Sequence, residues 1–77
     1  MAEMTERLLI DAGIGPGMRV LDVGCGRGDV ALLAAKLIGA QGEVVGIDRD
    51  PGALAFARGR VYEAGLTNVR FAAGDFA

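Results

Sequence analysis

The sequence predicts an α/β domain: a three-layer architecture on a parallel sheet of strand order 3-2-1, with a helix ahead of the first strand. Three observations carry this. Short apolar runs at Arg19–Val23, Glu43–Asp48 and Asn68–Ala73 read as strands. The segments between them have helical periodicity and end in glycine, at Gly39 and Gly65. Strands that alternate with helices of this length build parallel sheets through right-handed crossovers.

Each element has its own warrant. Residues 3–12 (EMTERLLIDA) read as a short helix with Met4, Leu8 and Ala12 on one face, although Thr5 followed by Arg7 makes a poor cap. Gly13, Gly15, Pro16 and Gly17 break the chain into a turn. Arg19–Val23 is almost wholly apolar and runs into glycines, which suits a strand buried on both faces. From Asp29 a 3.6-residue period places Val30, Leu33, Ala34, Leu37 and Ile38 on one stripe. Gln41-Gly42 turns the chain into the second strand. Asp50 then reads as an N-cap with Pro51 at the first helical position of a helix running to about Ala64, its inward residues Leu54, Ala57, Val61 and Ala64. Gly59 costs that helix about 1 kcal/mol in propensity. In the third strand Val69 and Phe71 share a face.

Composition bounds the function. Seventy-seven residues allow one domain, and a chain of this size buries only roughly 60–65% of its unfolded surface. The apolar fraction of 52% and charged fraction of 23% fit a globular chain, and the net charge of −2 offers no footprint for nucleic acid. No apolar run is long enough for a membrane span, and the acidic N-terminus is unlike a secretory signal. With no histidine and Cys25 as the single cysteine, neither a conventional zinc site nor a histidine-based triad can be built. The lone cysteine also fits a reducing, cytoplasmic compartment.

Val20–Gly28 (VLDVGCGRG) is the most informative stretch. Glycines at 24, 26 and 28 let a ligand approach the backbone closely, and the helix that follows points free N–H groups over the turn. Asp48 ends the second strand 20 residues beyond Gly28, where a carboxylate can accept both hydroxyls of a ribose. Gly74-Asp75-Phe76 follows the third strand on the same sheet edge; there a carboxylate can accept from the amine of adenine and an aromatic ring can pack on it. These features suit either NAD or S-adenosylmethionine. The GxGxG spacing, the preceding helix and Asp22 favour the second, because Asp22 would repel a pyrophosphate yet attract an ammonium group. Cys25, small and between glycines, packs under the turn, and no base is present to activate it.

The motifs DVGCGRG, VVGIDRD and AAGDFA together resemble those of the class I S-adenosylmethionine-dependent methyltransferases, and LLIDAGIGPGMRVLDVGCG is similar to small-molecule enzymes of the ubiquinone/menaquinone-methylating type. The resemblance implies the N-terminal half of a Rossmann-like fold, with residues 1–77 forming a single, partial cofactor-binding domain. It implies that Asp22 and the turn Gly24, Cys25, Gly26 and Gly28 hold the methionine end of the cofactor, Asp48 the ribose, and Asp75 with Phe76 the adenine. Arg49 stands where an apolar residue often packs on the adenine, and its guanidinium plane can stack there instead. No residue is assigned as catalytic, because in this family the acceptor pocket and any base usually come from later strands. A small-molecule acceptor is expected in the full-length parent. The alternatives are the NAD-binding half of a dehydrogenase, or an inert fragment that self-associates through the apolar edge Val20–Val23.

Overall fold

The computed structural model describes residues 2–74, with side chains from Glu6 onward. In chain order the elements are α1 (Ala2–Asp11), β1 (Arg19–Val23), α2 (Asp29–Ile38), β2 (Glu43–Asp48), α3 (Pro51–Glu63) and β3 (Val69–Ala73). The strands are parallel in the order β1-β2-β3, with Val20 opposite Val44 and Val44 opposite Val69. The sheet order read from the sequence is therefore the one observed.

Register and burial together show which side of the sheet the helices cover. Val20 and Asp22, Val44 and Gly46, and Val69 and Phe71 stand in line across one face. On that face α2 packs Ala31, Ala34, Ala35 and Ile38 around Val44, joined by Leu9 of α1, Val20, Leu66, Val69 and Phe71. The alanines let the α2 backbone approach the sheet closely. Leu54, Ala57 and Val61 are the buried residues of α3. The described residues thus supply two of the three layers, one sheet and one layer of helices.

Four packing expectations change. β1 is not buried on both faces: its side chains alternate between half-buried and exposed, with Leu21 61% and Val23 49% exposed. These two lie on the face opposite the helices, where no described element covers them. The inward side of α2 is rotated from the expected stripe. Ala31, Leu32, Ala34, Ala35 and Ile38 are buried, Leu33 and Leu37 half-buried and Val30 exposed. A helix that is apolar almost all round leaves its rotation to the partner surface, which periodicity alone cannot specify. Ala64 is exposed because α3 has already ended, and Gly65 takes a positive φ just beyond it. In α1, Leu8 is also exposed, and the adjacent Leu9 makes the core contact.

Two side chains finish the helix ends. Asp50 Oδ1 accepts from the backbone N–H groups of Gly52 (2.9 Å) and Ala53 (3.4 Å), capping α3 as expected. Asn68, buried ahead of β3, donates through Nδ2 to the carbonyls of Ala35 (2.9 Å) and Gly39 (2.8 Å), satisfying the C-terminal end of α2.

The sheet's two edges differ. Glu43 N–H donates to the Met18 carbonyl and Gly24 N–H to that of Ile47, so the even-numbered residues of β1 turn their backbone groups toward β2. Arg19, Leu21 and Val23 therefore direct theirs outward. On the far edge, Arg58 Nη2 donates to the Phe71 carbonyl at 3.1 Å and occupies part of the rim of β3. No helix among the described residues is long and apolar enough to cross a membrane.

Candidate functional site

The site is built at the C-terminal end of β1 and β2. As β1 ends, the N–H groups of Gly24 (2.7 Å) and Cys25 (3.0 Å) both donate to the Ile47 carbonyl, which bends the chain toward β2. Gly28 N–H then donates to the Cys25 carbonyl (3.0 Å) and closes the turn, while the Gly28 carbonyl receives the first α2 bond from Leu32. Gly24, Gly26 and Gly28 all have positive φ. Gly28 is further constrained by space: a Cβ there would lie 3.1 Å from that of Ala57, so the start of α2 can approach α3 only without a side chain.

Asp48 ties the turn to β2. Its Oδ2 accepts from Gly26 N–H and its Oδ1 from Asp50 N–H, each at 2.9 Å. These two backbone donors, Asp50 first, hold the carboxyl below the usual aspartate range, so it is ionised at neutral pH. Both oxygens keep a further lone pair for an outside donor. Arg49, next to it, is exposed. Gly74 N–H donates to the Asp48 carbonyl at 3.0 Å, so the chain leaves β3 beside Asp48. Asp75 and Phe76, the expected adenine residues, lie outside the described residues.

Asp22 and Cys25 occupy the interior beside the turn. Asp22 is half-buried on the helix-covered face, and burial raises its pKa. Its Oδ2 is buried without a hydrogen-bond partner among the described residues. Cys25 is buried, its Sγ 3.9 Å from the Gly26 carbonyl. Burial, with the charges of Asp22 and Asp48, pushes the thiol pKa up, the opposite of what a nucleophilic thiolate requires. The turn contributes backbone at this position, and the sulfur fills the space below.

Sequence reading missed three contributors. Gly46 in the middle of β2 leaves room for both Phe71 and Cys25: a Cβ there would lie 2.7 Å from the Phe71 ring and 2.9 Å from Cys25 Sγ. A glycine inside an otherwise apolar strand is itself a signal of close approach. Phe56 and Arg60 of α3 meet the exit of the turn. The Arg27 guanidinium lies 4.0 Å from the Phe56 ring centroid, and Arg60 pairs with Asp29. Arg60 and Asp29 are 31 positions apart, and no local pattern joins them.

Residues 14–77 match a family model described as a methyltransferase domain. The chain is 51% identical over 53 residues to aklanonic acid methyltransferase of Streptomyces sp. (strain C5), covering 69% of this chain and 24% of that protein. It is 39% identical over 70 residues to demethylmenaquinone methyltransferase of Staphylococcus aureus (strain MRSA252), covering 91% of this chain and 28% of that protein. Among solved structures, a SAM-dependent methyltransferase from Aquifex aeolicus superposes with a TM-score of 0.87 at 34% identity, over 92% of this chain and 38% of that one. Geranyl diphosphate methyltransferase in complex with SAM gives a TM-score of 0.81 at 29% identity, over 96% of this chain and 30% of that one. The chain spans about a quarter of the length of these curated relatives.

Proposed function

The chain belongs to the methyltransferase domain family, and from that premise we propose that it is the cofactor-binding part of an S-adenosylmethionine-dependent methyltransferase with a small-molecule acceptor. The observation that carries this is the bond from Gly26 N–H to Asp48 Oδ2, which makes the glycine turn and the strand-end carboxylate one site. The residues fit the cofactor. Asp22 has a buried carboxylate oxygen with no partner among the described residues, and a methionyl ammonium group would neutralise that carboxylate. Asp48 keeps acceptor capacity for ribose hydroxyls. Bound S-adenosylmethionine supplies a methyl group activated by its positive sulfur, and the protein's part is to align it.

In this reading the turn Gly24–Gly28 brings bare backbone against the methionine end, with Cys25 taking part through its main chain only. Asp48 orients the ribose, Arg49 stacks beside the adenine, and Asp75 and Phe76 hold the adenine from the end of β3. The relatives are named for small organic acceptors, which supports an acceptor of that class. The reading also carries a cytoplasmic location and one cofactor-binding unit over residues 1–77. Titration of the purified chain with S-adenosylhomocysteine, with NAD in parallel, tests it. Saturable binding of the first alone is expected; binding of NAD instead would transfer the site to a dehydrogenase.

Asp22 gives a test with two signs. Because burial raises its pKa, the folded chain binds its proton more tightly than the unfolded chain does. The ionised side chain therefore costs stability at neutral pH, and the cost is relieved as pH falls through the folded value. Asp22→Asn is expected to stabilise the free chain at pH 7 by on the order of 1 kcal/mol. The same change should weaken S-adenosylhomocysteine binding about tenfold or more, the loss of one charge-assisted contact. Thermal melts and titration report the two effects separately. A stabilised variant with unchanged affinity would remove Asp22 from the site.

The outward backbone groups of Arg19, Leu21 and Val23, beside the exposed side chains of Leu21 and Val23, support self-association of the isolated chain through β1. Sedimentation velocity over a wide concentration range should show dimers or larger species. A well-folded monomer at the highest concentration would rule this out.

A further inference from the structure

We propose that Arg60 is a positioning residue for the glycine turn: its guanidinium fixes residues 27–29 against α3, so that the turn is held from two sides. Asp48 holds the first half, through Gly26 N–H. The second half has no such carboxylate, and its ties run to α3. Arg60 Nη1 carries two hydrogens; it donates to the Arg27 carbonyl at 3.1 Å and to Asp29 Oδ1. One nitrogen thus grips the residues on either side of Gly28, the glycine where the chain passes from turn to helix.

Phe56 and Arg60 stand four residues apart and so share one face of α3. Phe56 receives Arg27, whose guanidinium lies 4.0 Å from the ring centroid. This contact keeps the long side chain of Arg27 on α3. The arrangement has a structural reason to exist. A Cβ at Gly28 would lie 3.1 Å from that of Ala57, so a side chain there would crowd α3, and Arg60 ties the turn to α3 on either side of this close approach.

An exposed ion pair contributes little to global stability, and Asp29 is 81% exposed. The role assigned to Arg60 is therefore local geometry. The bond to the Arg27 carbonyl is what separates it from an ordinary surface pair. Lysine keeps the charge for Asp29, but its ammonium lies one bond nearer the backbone than Nη1 and lacks the planar guanidinium that fixes the direction of the two donated hydrogens.

The proposal rests on reading the turn as the cofactor's cradle, and the experiment separates the two. Amide hydrogen exchange is measured on the free wild-type chain, Arg60→Ala and Arg60→Lys, and each is titrated with S-adenosylhomocysteine. Arg60→Ala should accelerate exchange at residues 26–29 about tenfold while the amides of β2 and the middle of α2 change little; local opening of this kind is read residue by residue. Its S-adenosylhomocysteine affinity should fall about fivefold or more, the scale of a lost charge-assisted hydrogen bond. Arg60→Lys should fall between wild type and alanine on both readouts. Uniform acceleration across the domain would mean that Arg60 serves global stability alone and would overturn the proposal. So would unchanged exchange at residues 26–29, or equal affinity of wild type and Arg60→Ala. If wild type binds no S-adenosylhomocysteine, the cofactor reading fails, and the exchange pattern alone decides whether Arg60 holds the turn.

Discussion

Gly46→Ala should lower the melting temperature by roughly 10 °C, and Gly46→Val should leave the chain without a cooperative transition. The added Cβ would sit 2.7 and 2.8 Å from two atoms of the Phe71 ring and 2.9 Å from Cys25 Sγ, so something must move. Phe71 is partly buried against the main core, and Cys25 is buried under the turn. Overpacking of this kind costs about 1–3 kcal/mol. For a domain of this size each kcal/mol shifts the transition by roughly 4–8 °C. Gly59→Ala is the control, because a Cβ at that helical position meets nothing within 4 Å, and alanine there should raise stability by up to about 1 kcal/mol. Melts followed by circular dichroism compare the two. If Gly46→Ala melted with wild type, the close approach of Phe71 and Cys25 would be wrong.

Asp48→Ala should remove most S-adenosylhomocysteine binding, for two reasons that other substitutions can separate. Alanine deletes the acceptor proposed for the ribose and also releases Gly26 N–H. In Asp48→Asn one oxygen remains for one of the two backbone donors, and the amide nitrogen, itself a donor, is set against the other. Asparagine should therefore bind almost as poorly as alanine. The backbone bonds that depress the Asp48 pKa also set the direction of the pH response. A carboxylate with a lowered folded pKa adds stability that is fully present above its unfolded value, near 3.8. That stability is lost as pH falls through the still lower folded value. Wild type should lose an acid-sensitive contribution below about pH 4 that Asp48→Ala never had. Acid titration of stability checks the sign; matching acid profiles would show that Asp48 does not hold the turn.

The fold was legible where local chemistry was unambiguous. Asp50-Pro51 marks the start of α3, Gly39 and Gly65 mark the ends of α2 and α3, and the GxGxG run marks the strand-to-helix turn. Legibility failed where the answer belonged to a partner surface. Arg19–Val23 reads as a strand buried on both sides, yet whether Leu21 is covered depends on what packs against it. Periodicity alone misplaces the inward stripe of α2, because leucines and alanines surround that helix and the small alanines, offering the closest approach, face the sheet. In the site, Asp22, Asp48 and the glycines announce themselves through type and spacing. Arg60 and Phe56 emerge only once α3 is folded against the turn, and Gly46 signals a close approach whose partners, Phe71 and Cys25, only the fold supplies.

The bond from Gly26 to Asp48 joins residues 22 positions apart. The shape of the turn therefore depends on a contact beyond its own residues as well as on its local bond from Gly28 to Cys25. That contact forms only when the loop from β1 through α2 to β2 has closed, a step that carries the entropy of long-range ordering. A ligand that recognises this shape selects the closed state, and its free energy of binding adds to that of folding. For the proposed cofactor, occupancy and foldedness are then linked, and the concentration of the ligand adds to the stability that the sequence supplies.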